Sequence, residues 1–275
     1  MISERSRTAH SESVGHLAGR ALDVLRGVEG TSVAAAHVEE ADDPAVALGA
    51  VRLLGADVLA PYALTGRPRP PGEAEAVRLA LDALPPVQPP PAAPPAGEEQ
   101  PWVMAWADWG LLTLLAADDP PDATGAPPLQ PPHPQGPPRY DDSAPRHLPP
   151  TADGGPDSGP DSGPDSGVRE GWAPWSVRMG RLASLALPGL DGPVHDAARA
   201  GALGLARGAG RATLRRDFPT AARIARWLAW LQADGVALPL DPAPLTTYIQ
   251  LAGGDGGRLA LDAAIARRLL GLEPA

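Results

Sequence analysis

Residues 219–234 read Pro219-Thr-Ala-Ala-Arg-Ile-Ala-Arg-Trp-Leu-Ala-Trp-Leu-Gln-Ala-Asp234, and this stretch carries the strongest helix signal in the chain. Its large apolar side chains recur every three or four residues, which places them on one face of a helix. Pro219 suits the first helical turn, and Gly235 suits the position just after the last turn. The predicted inward positions are Ile224, Trp227, Leu228 and Leu231.

Similar patterns on either side of this stretch predict further helices and almost no strands. The single strand-like piece is 235–240, and Pro239 limits it to an edge or a loop. Glycines within the predicted helix 191–216 require either a second helix packed closely against them or a break in the helix. The other predicted helices lie at about 14–28, 31–40, 43–61, 73–84, 101–117, 177–187, 243–252 and 257–270.

Segments rich in proline and glycine divide these helices, because the chain holds 36 prolines and 31 glycines. Between 118 and 171 almost no large apolar side chains occur, and residues 155–167 repeat the tetrapeptide Gly-Pro-Asp-Ser three times. Such a segment cannot offset the entropy lost on ordering, so we predict that it is disordered. The expected fold is all-α, with two small helical bundles separated by this linker.

The predicted organisation follows the charge along the chain, which carries a net charge of −10. Residues 1–100 contain 14 acids and 8 arginines, residues 101–167 contain 10 and 2, and residues 168–275 contain 9 and 13. Only the last third is therefore basic. The predicted units are an acidic helical bundle (1–84), a proline-rich spacer (85–100), a Trp/Leu-rich helix (101–117), the disordered acidic linker (118–171) and an arginine-bearing helical domain (172–275).

Missing residue types exclude several reaction classes. All 23 basic residues are arginine and there is no cysteine, a composition typical of a GC-rich, bacterial coding sequence. Without lysine the chain has no phosphate-binding P-loop and no Schiff-base chemistry, and without cysteine it has no thiolate nucleophile. The six histidines are scattered without metal-ligand spacing. We therefore assign no catalytic, metal-binding or cofactor-binding residue and predict no cofactor.

The expected location is the cytoplasm. The N-terminal residues are polar and charged, with no apolar segment typical of a secretion signal. The longest apolar run, 102–117, contains Asp108 and is shorter than the roughly 20 residues of a membrane-spanning helix. We therefore expect a soluble protein without a transmembrane segment.

Short motifs resemble known sites. Asp-Ser-Gly in the repeat resembles the nucleophile motif of chymotrypsin-like serine proteases, but a catalytic triad needs a rigid scaffold that a repeated linker lacks. The spacing in 157–162 is also similar to a phosphodegron, and a solvated spacer is the interpretation that we favour. The stretch 118–122 resembles the aspartate-rich motif of isoprenoid synthases, which implies magnesium and diphosphate binding, although Pro120 and Pro121 interrupt the helix.

Arginines form the main candidate binding surface. They recur at four-residue intervals near the end of the predicted helix 191–216, and others lie with a tryptophan on the polar side of helix 219–234. This arrangement could follow phosphates of a nucleic acid or hold an acidic partner, including the chain's own linker. The candidate residues are Arg207, Arg211, Arg215, Arg216, Arg223, Arg226 and Trp230.

Tryptophans form the second candidate surface. Trp102, Trp106 and Trp109 share one stripe of a helix, and Trp172 and Trp175 follow the linker. These side chains could pin the two halves together, or they could form a surface that docks a partner, since tryptophan is enriched at interfaces. Both interpretations stay open on the sequence alone.

The leading functional hypothesis is a non-enzymatic cytoplasmic adaptor or scaffold that binds another protein or itself. The alternative is a nucleic-acid-associated regulatory protein that acts through the arginine-rich helices. A divergent helical enzyme of isoprenoid-synthase type is the second alternative.

Overall fold

The computed structural model describes residues 4–28, 32–84, 90–118, 129–133, 136–140 and 169–273. Within these ranges the protein consists of α-helices with two short 3-10 turns and one two-residue strand pair, which confirms the predicted all-α class. In chain order the helices are α1 (Glu4–Leu25), α2 (Ala34–Glu39), α3 (Pro44–Leu54), α4 (Ala60–Thr65), α5 (Glu73–Ala83), α6 (Glu99–Asp118), α7 (Trp172–Arg181), α8 (Pro193–Ala200), α9 (Ala202–Leu214), α10 (Phe218–Ala233), α11 (Pro242–Ala252) and α12 (Gly257–Leu269).

The helix predicted at 43–61 is divided earlier than the sequence indicates. Asp43 caps α3, since its carboxylate accepts hydrogen bonds from the backbone N–H groups of Ala45 and Val46. The helix ends at Leu54 because Gly55 adopts a positive φ of 63°, and a 3-10 turn (Gly55–Val58) follows. Pro61 then lies in the first turn of α4, so the stop or kink that the sequence predicts at this proline occurs instead at Gly55.

The glycines of the predicted helix 191–216 have two different roles. The helix breaks at Gly201, between α8 and α9, where an added Cβ would lie 2.1 Å from the Trp175 ring. Gly208, inside α9, faces Ser176 of α7, and a Cβ there would lie 2.3 Å from the Ser176 hydroxyl oxygen. Glycine therefore allows α7 and α9 to approach closely, as the sequence pattern predicted.

The larger of two hydrophobic clusters in the described residues contains helices from both halves of the chain. Helix α1 packs against α3 and α12, and α10 packs against α7, α9, α11 and α12. The two helical groups before and after the linker are thus joined by shared packing. The largest fully buried apolar side chains include Leu17, Leu54, Trp102, Trp106, Trp175 and Trp227.

A buried carboxylate completes the start of α2. Glu73, the first residue of α5, is fully buried and accepts hydrogen bonds from the backbone N–H groups of Val33, Ala34 and Ala35. Burial raises the pKa of Glu73, and these three donors oppose that effect. Glu73 therefore fixes α5 against α2 by accepting three backbone N–H groups at the start of α2, and the Ser32 hydroxyl accepts the next one, from Ala36.

Parts of the predicted linker lie on the helices. The Trp109 indole N–H donates to the Leu129 carbonyl oxygen over 3.2 Å, and Gly136 lies against Pro193. Arg139–Tyr140 pairs in parallel with Arg169–Glu170. The chain therefore leaves and re-enters the described fold at neighbouring positions.

The remaining expectations for the proline-rich segments fall outside the described residues. The residues outside the described ranges include 119–128, 134–135 and 141–168 of the predicted disordered linker and 85–89 of the predicted spacer. The repeat at 155–167 lies among them.

One helical stretch, Pro44–Thr65, is long and apolar enough to span a membrane by length and composition alone. Most of this stretch is buried inside the fold. Packing within the core accounts for this apolar composition. The strand-like piece at 235–240 forms no strand in the described fold, where the Val236 N–H instead donates to the Leu231 carbonyl oxygen at the end of α10.

Candidate functional site

An open groove of about 420 Å³ lies between α7 and α9, beside the start of α10. Its floor is apolar, and the close approach of α7 to α9 at Gly208 sets its depth. Four arginines line it, which gives the groove a positive charge within an otherwise acidic protein. These arginines are Arg178, Arg181, Arg211 and Arg215.

The four arginines fall into two pairs. Arg178 and Arg181 of α7 both bind Glu99 of α6, and the Arg178 Nε lies 3.1 Å from the Glu99 Oε1. Arg211 of α9 and Arg215, which directly follows α9, are exposed, and among the described residues neither forms an ion pair. Arg211 and Arg215 are therefore the groove arginines that an incoming anion would meet.

Trp172 positions Arg211 in the groove. The guanidinium carbon of Arg211 lies 5.7 Å from the centroid of the Trp172 ring, within cation–π range. This contact holds the Arg211 side chain along α7. The charge of Arg211 is thereby presented above the groove floor.

Other predicted surface arginines lie close by. Arg207 and Arg216 are exposed, and Arg216 follows the end of α9 with a positive φ of 58°. Arg223 is 36% exposed, and its Nε lies 3.9 Å from the Asp262 carboxylate, so it borders the core. Arg207, Arg211, Arg215 and Arg216 thus form the exposed part of the predicted arginine surface.

Two predicted surface residues are in the core. Arg226 is fully buried, and Trp230 is 7% exposed, between the His195 ring and the guanidinium of Arg199. The prediction of an exposed strip with Arg226 and Trp230 was therefore wrong about their position. Helix α10 is surrounded by other helices, so its polar side is covered as well.

Arg226 belongs to a buried cluster of charges that joins the two halves of the chain. Its Nη2 lies 2.5 Å from Asp57 Oδ1, in the 3-10 turn after α3, and its Nη1 lies 3.3 Å from Asp262 Oδ1 in α12. Arg258 binds the second oxygen of each carboxylate, at 2.5 Å from Asp57 and 3.2 Å from Asp262. Burial alone would raise the pKa of Asp57, but the charges of Arg226 and Arg258 hold it below its ordinary value.

The tryptophans of α6 are buried within the fold. Trp102, Trp106 and Trp109 are at most 7% exposed, and their rings meet edge to face with centroids 6.2 and 5.5 Å apart. Trp175 lies in the same core. This placement agrees with the interpretation that the tryptophans pin the helices together, and it leaves little of their surface for a partner.

A buried histidine lies at the centre of the C-terminal helices. The Nε2–H of His195 donates to the Leu185 carbonyl oxygen over 2.9 Å, and its ring contacts Trp227 and Trp230. Its Nδ1 has no hydrogen-bond partner among the described residues. Burial lowers the pKa of His195, so the folded protein holds a neutral imidazole.

We expect His195 to make the protein less stable below about pH 6.5. The unfolded chain binds a proton at this histidine below its ordinary pKa, whereas the folded protein resists protonation, so stability falls as the pH decreases. The contribution is up to about 1.4 kcal/mol for each pH unit, until the lowered pKa of the folded state is reached. His195→Phe should reduce the slope of the unfolding free energy between about pH 6.5 and pH 5, measured by urea denaturation.

His37 serves as the comparison, because burial lowers its pKa as well and its Nε2 lies 2.9 Å from the Ser13 hydroxyl oxygen. In a His37→Gln variant, the part of the pH dependence of the unfolding free energy that comes from His195 should be unchanged. An unchanged slope in His195→Phe would contradict the assignment.

The remaining sequence motifs lie almost wholly outside the described residues. Asp118 ends α6, and residues 119–122 of the aspartate-rich motif lie outside the described ranges, as do the serines of the repeat. Over the residues that the structure describes, no set of three or more histidine and carboxylate side chains is placed to hold a metal ion. No protein-family model, curated protein or solved structure matches this chain.

Proposed function

We propose that this protein is a non-enzymatic adaptor or scaffold of the cytoplasm that docks an acidic segment of another protein in the groove between α7 and α9. The observation that carries the proposal is the presence of Arg211 and Arg215 at this groove, exposed and without carboxylate partners in the described fold. Exposed guanidinium groups bind carboxylates through paired hydrogen bonds. The apolar floor adds contact area for the rest of the segment.

The carboxylates of the groove support binding rather than catalysis. Glu99 is engaged by Arg178 and Arg181, and the Asp217 carboxylate accepts the Thr220 N–H at the start of α10. Each carboxylate thereby holds helices in place.

Nucleic-acid binding through the exposed arginines is the second candidate. Arg207, Arg211, Arg215 and Arg216 lie on or just after α9, where they could contact successive phosphates. Burial of Arg226 and Trp230 removes a charge and a stacking ring from the surface this function requires. The net charge of −10 also opposes long-range attraction to a polyanion, so an acidic protein segment is the better fit.

A binding experiment with matched variants tests the proposal. The probe is a fluorescein-labelled, glutamate-rich peptide of about 14 residues, which as a helix matches the roughly 20 Å length of α9. We expect Arg211→Gln/Arg215→Gln to weaken binding by about tenfold, since each exposed ion pair contributes up to about 1 kcal/mol. The control is Arg26→Gln/Arg67→Gln, which removes the same charge from exposed sites in the N-terminal helical group.

The control variant should bind the peptide as the unmodified protein does. Equal loss in both double variants, or no binding by the unmodified protein, would contradict the proposal. Tighter binding of duplex DNA that depends on Arg211 and Arg215 would favour the second candidate, with a steep decrease as salt rises.

A further inference from the structure

The outer face of α9 exposes leucine beside arginine. Leu214 is 88% exposed and Leu203 is 41% exposed, although both belong to a helix that is otherwise well packed. Arg211 lies three residues before Leu214, and Arg215 follows it directly, so charge and apolar surface adjoin at the rim of the groove. A partner that met only the charges would leave Leu214 in water.

Gly210 lies on the same side of α9, where another residue would make the isolated protein more stable than glycine does. It lies inside the helix, and an added Cβ would have no neighbour within 4 Å. No packing requirement of the fold therefore explains a glycine here, where alanine is a better helix former. A glycine between Leu203 and Leu214 adds no side chain to the outer surface of α9, so the backbone of another helix can approach it.

Arg216 is the second residue that stabilises the isolated fold less than another residue would. It has a φ of 58°, a conformation in which a side chain is strained and glycine is favoured after a helix end. The chain carries 31 glycines, yet an arginine stands at this position. Local rules are commonly broken where function requires it, so both residues point to this face as a contact surface.

We infer that the partner segment is an acidic amphipathic helix that places its carboxylates on Arg211, Arg215 and Arg216 and its apolar stripe on the leucines of α9. This inference rests on the proposed function and names the chemistry of its partner. Amphipathic helices dock through apolar side chains on one helix face, and Leu203, Gly210 and Leu214, seven and four residues apart, share one face of α9. Charge complementarity sets the orientation.

A protein helix fits this surface better than a membrane or a nucleic acid. An anionic bilayer or a duplex would face the whole protein, whose net charge is −10, whereas a short helix senses charges within about one Debye length, roughly 8 Å in physiological salt. A duplex also offers little apolar surface along its backbone for Leu214.

Two peptides of identical composition test the inference. Both contain only glutamate and leucine and are about 14 residues long, but one repeats leucine at helical spacing and the other is scrambled. By fluorescence anisotropy the unmodified protein should bind the periodic peptide about fivefold more tightly than the scrambled one, through partial burial of Leu214. Leu214→Ser should remove this preference, whereas Leu79→Ser, which changes a half-exposed leucine of α5, should keep it.

Equal affinity for both peptides, or a preference that survives Leu214→Ser, would overturn the inference while the proposed docking of acidic segments stands. Failure of both peptides to bind would contradict the proposed function itself. Tighter binding of phosphatidylserine vesicles or duplex DNA than of the periodic peptide, lost in Leu214→Ser, would also overturn the inference.

Arg216→Gly gives an independent readout, because relief of the strained backbone should stabilise the fold whereas loss of the guanidinium contact should weaken peptide binding. It should raise the midpoint of urea unfolding and weaken binding of the periodic peptide about threefold, the loss of one exposed ion pair. Unchanged binding would remove Arg216 from the contact surface and with it the argument from local strain.

Discussion

Replacing Asp57 with alanine is expected to lower the free energy of unfolding by about 3 to 5 kcal/mol, the usual cost of leaving a buried charge without its partner. Arg226 is fully buried and Asp57 is the carboxylate closest to it, so the substitution leaves Arg226 and Arg258 with Asp262 as their one shared carboxylate in the cluster. Asp262 lies farther from Arg226 and is shared with Arg258. Urea denaturation followed by circular dichroism measures the change.

Asp234→Ala is the matched control. It removes a carboxylate from Arg199 at a distance of 2.8 Å, but this pair is 30% and 38% exposed. We expect a cost of less than about 1 kcal/mol, because water replaces the lost partner. A cost for Asp57→Ala no larger than that for Asp234→Ala would show that the cluster does not hold the two halves together.

A double substitution separates the cost of an unpaired buried charge from the net contribution of the ion pair to the free energy of unfolding. Asp57→Leu/Arg226→Met removes both charges, so no unpaired charge is left between these two positions. Replacement of a buried ion pair by apolar side chains is often close to neutral. The double variant should therefore be more stable than Asp57→Ala.

Gly208→Ala and Gly210→Ala are expected to change stability in opposite directions, although both make the same chemical change in α9. A Cβ at Gly208 would lie 2.3 Å from the Ser176 hydroxyl oxygen and 2.4 Å from its Cβ, so α7 and α9 must separate, at a cost of about 1 to 3 kcal/mol. A Cβ at Gly210 meets open space and should stabilise the helix by about 0.5 to 1 kcal/mol. Thermal and urea unfolding of the two variants measure both effects.

A stabilising Gly208→Ala would contradict the close packing of α7 on α9. The groove depends on the same packing, so Gly208→Ala should also weaken peptide binding. Gly210→Ala lies outside the α7 interface and tests the packing argument without changing the groove floor.

Helices with strong local signals were predicted closely from the sequence. Helix α5 was expected at 73–84 and spans Glu73–Ala83, and α11 and α12 also agree within one residue at each end. Their boundaries depend on proline, glycine and apolar spacing within the helix itself. Such local features are visible without knowledge of the tertiary structure.

The burial of Arg226 could not be predicted from one helix, because its partner Asp57 belongs to the other half of the chain. Periodicity identified the inward face of α10 correctly but assumed that the opposite face meets water. The structure buries α10 continuously from Ile224 to Leu231. The alanines on the polar side of this helix, including Ala222 and Ala229, were the available signal, since small side chains favour close helix packing.

The candidate site was predicted in part. The sequence identified the arginines of α9, and Arg207, Arg211, Arg215 and Arg216 are exposed in the structure. The groove itself could not be predicted, because it requires α7, which carries Arg178 and Arg181, to lie beside α9. The exposure of Leu214 could not be predicted either, since an apolar residue in a helix is normally expected to face the core.

Amide chemical-shift mapping of the full chain, titrated with the periodic glutamate–leucine peptide, tests the docking of an acidic segment most directly. The shift changes should concentrate in Trp172–Arg181 and Ala202–Leu214 and saturate with the same affinity as the anisotropy measurement. Changes confined to the N-terminal helices, or changes that persist at full size in Arg211→Gln/Arg215→Gln, would contradict this docking.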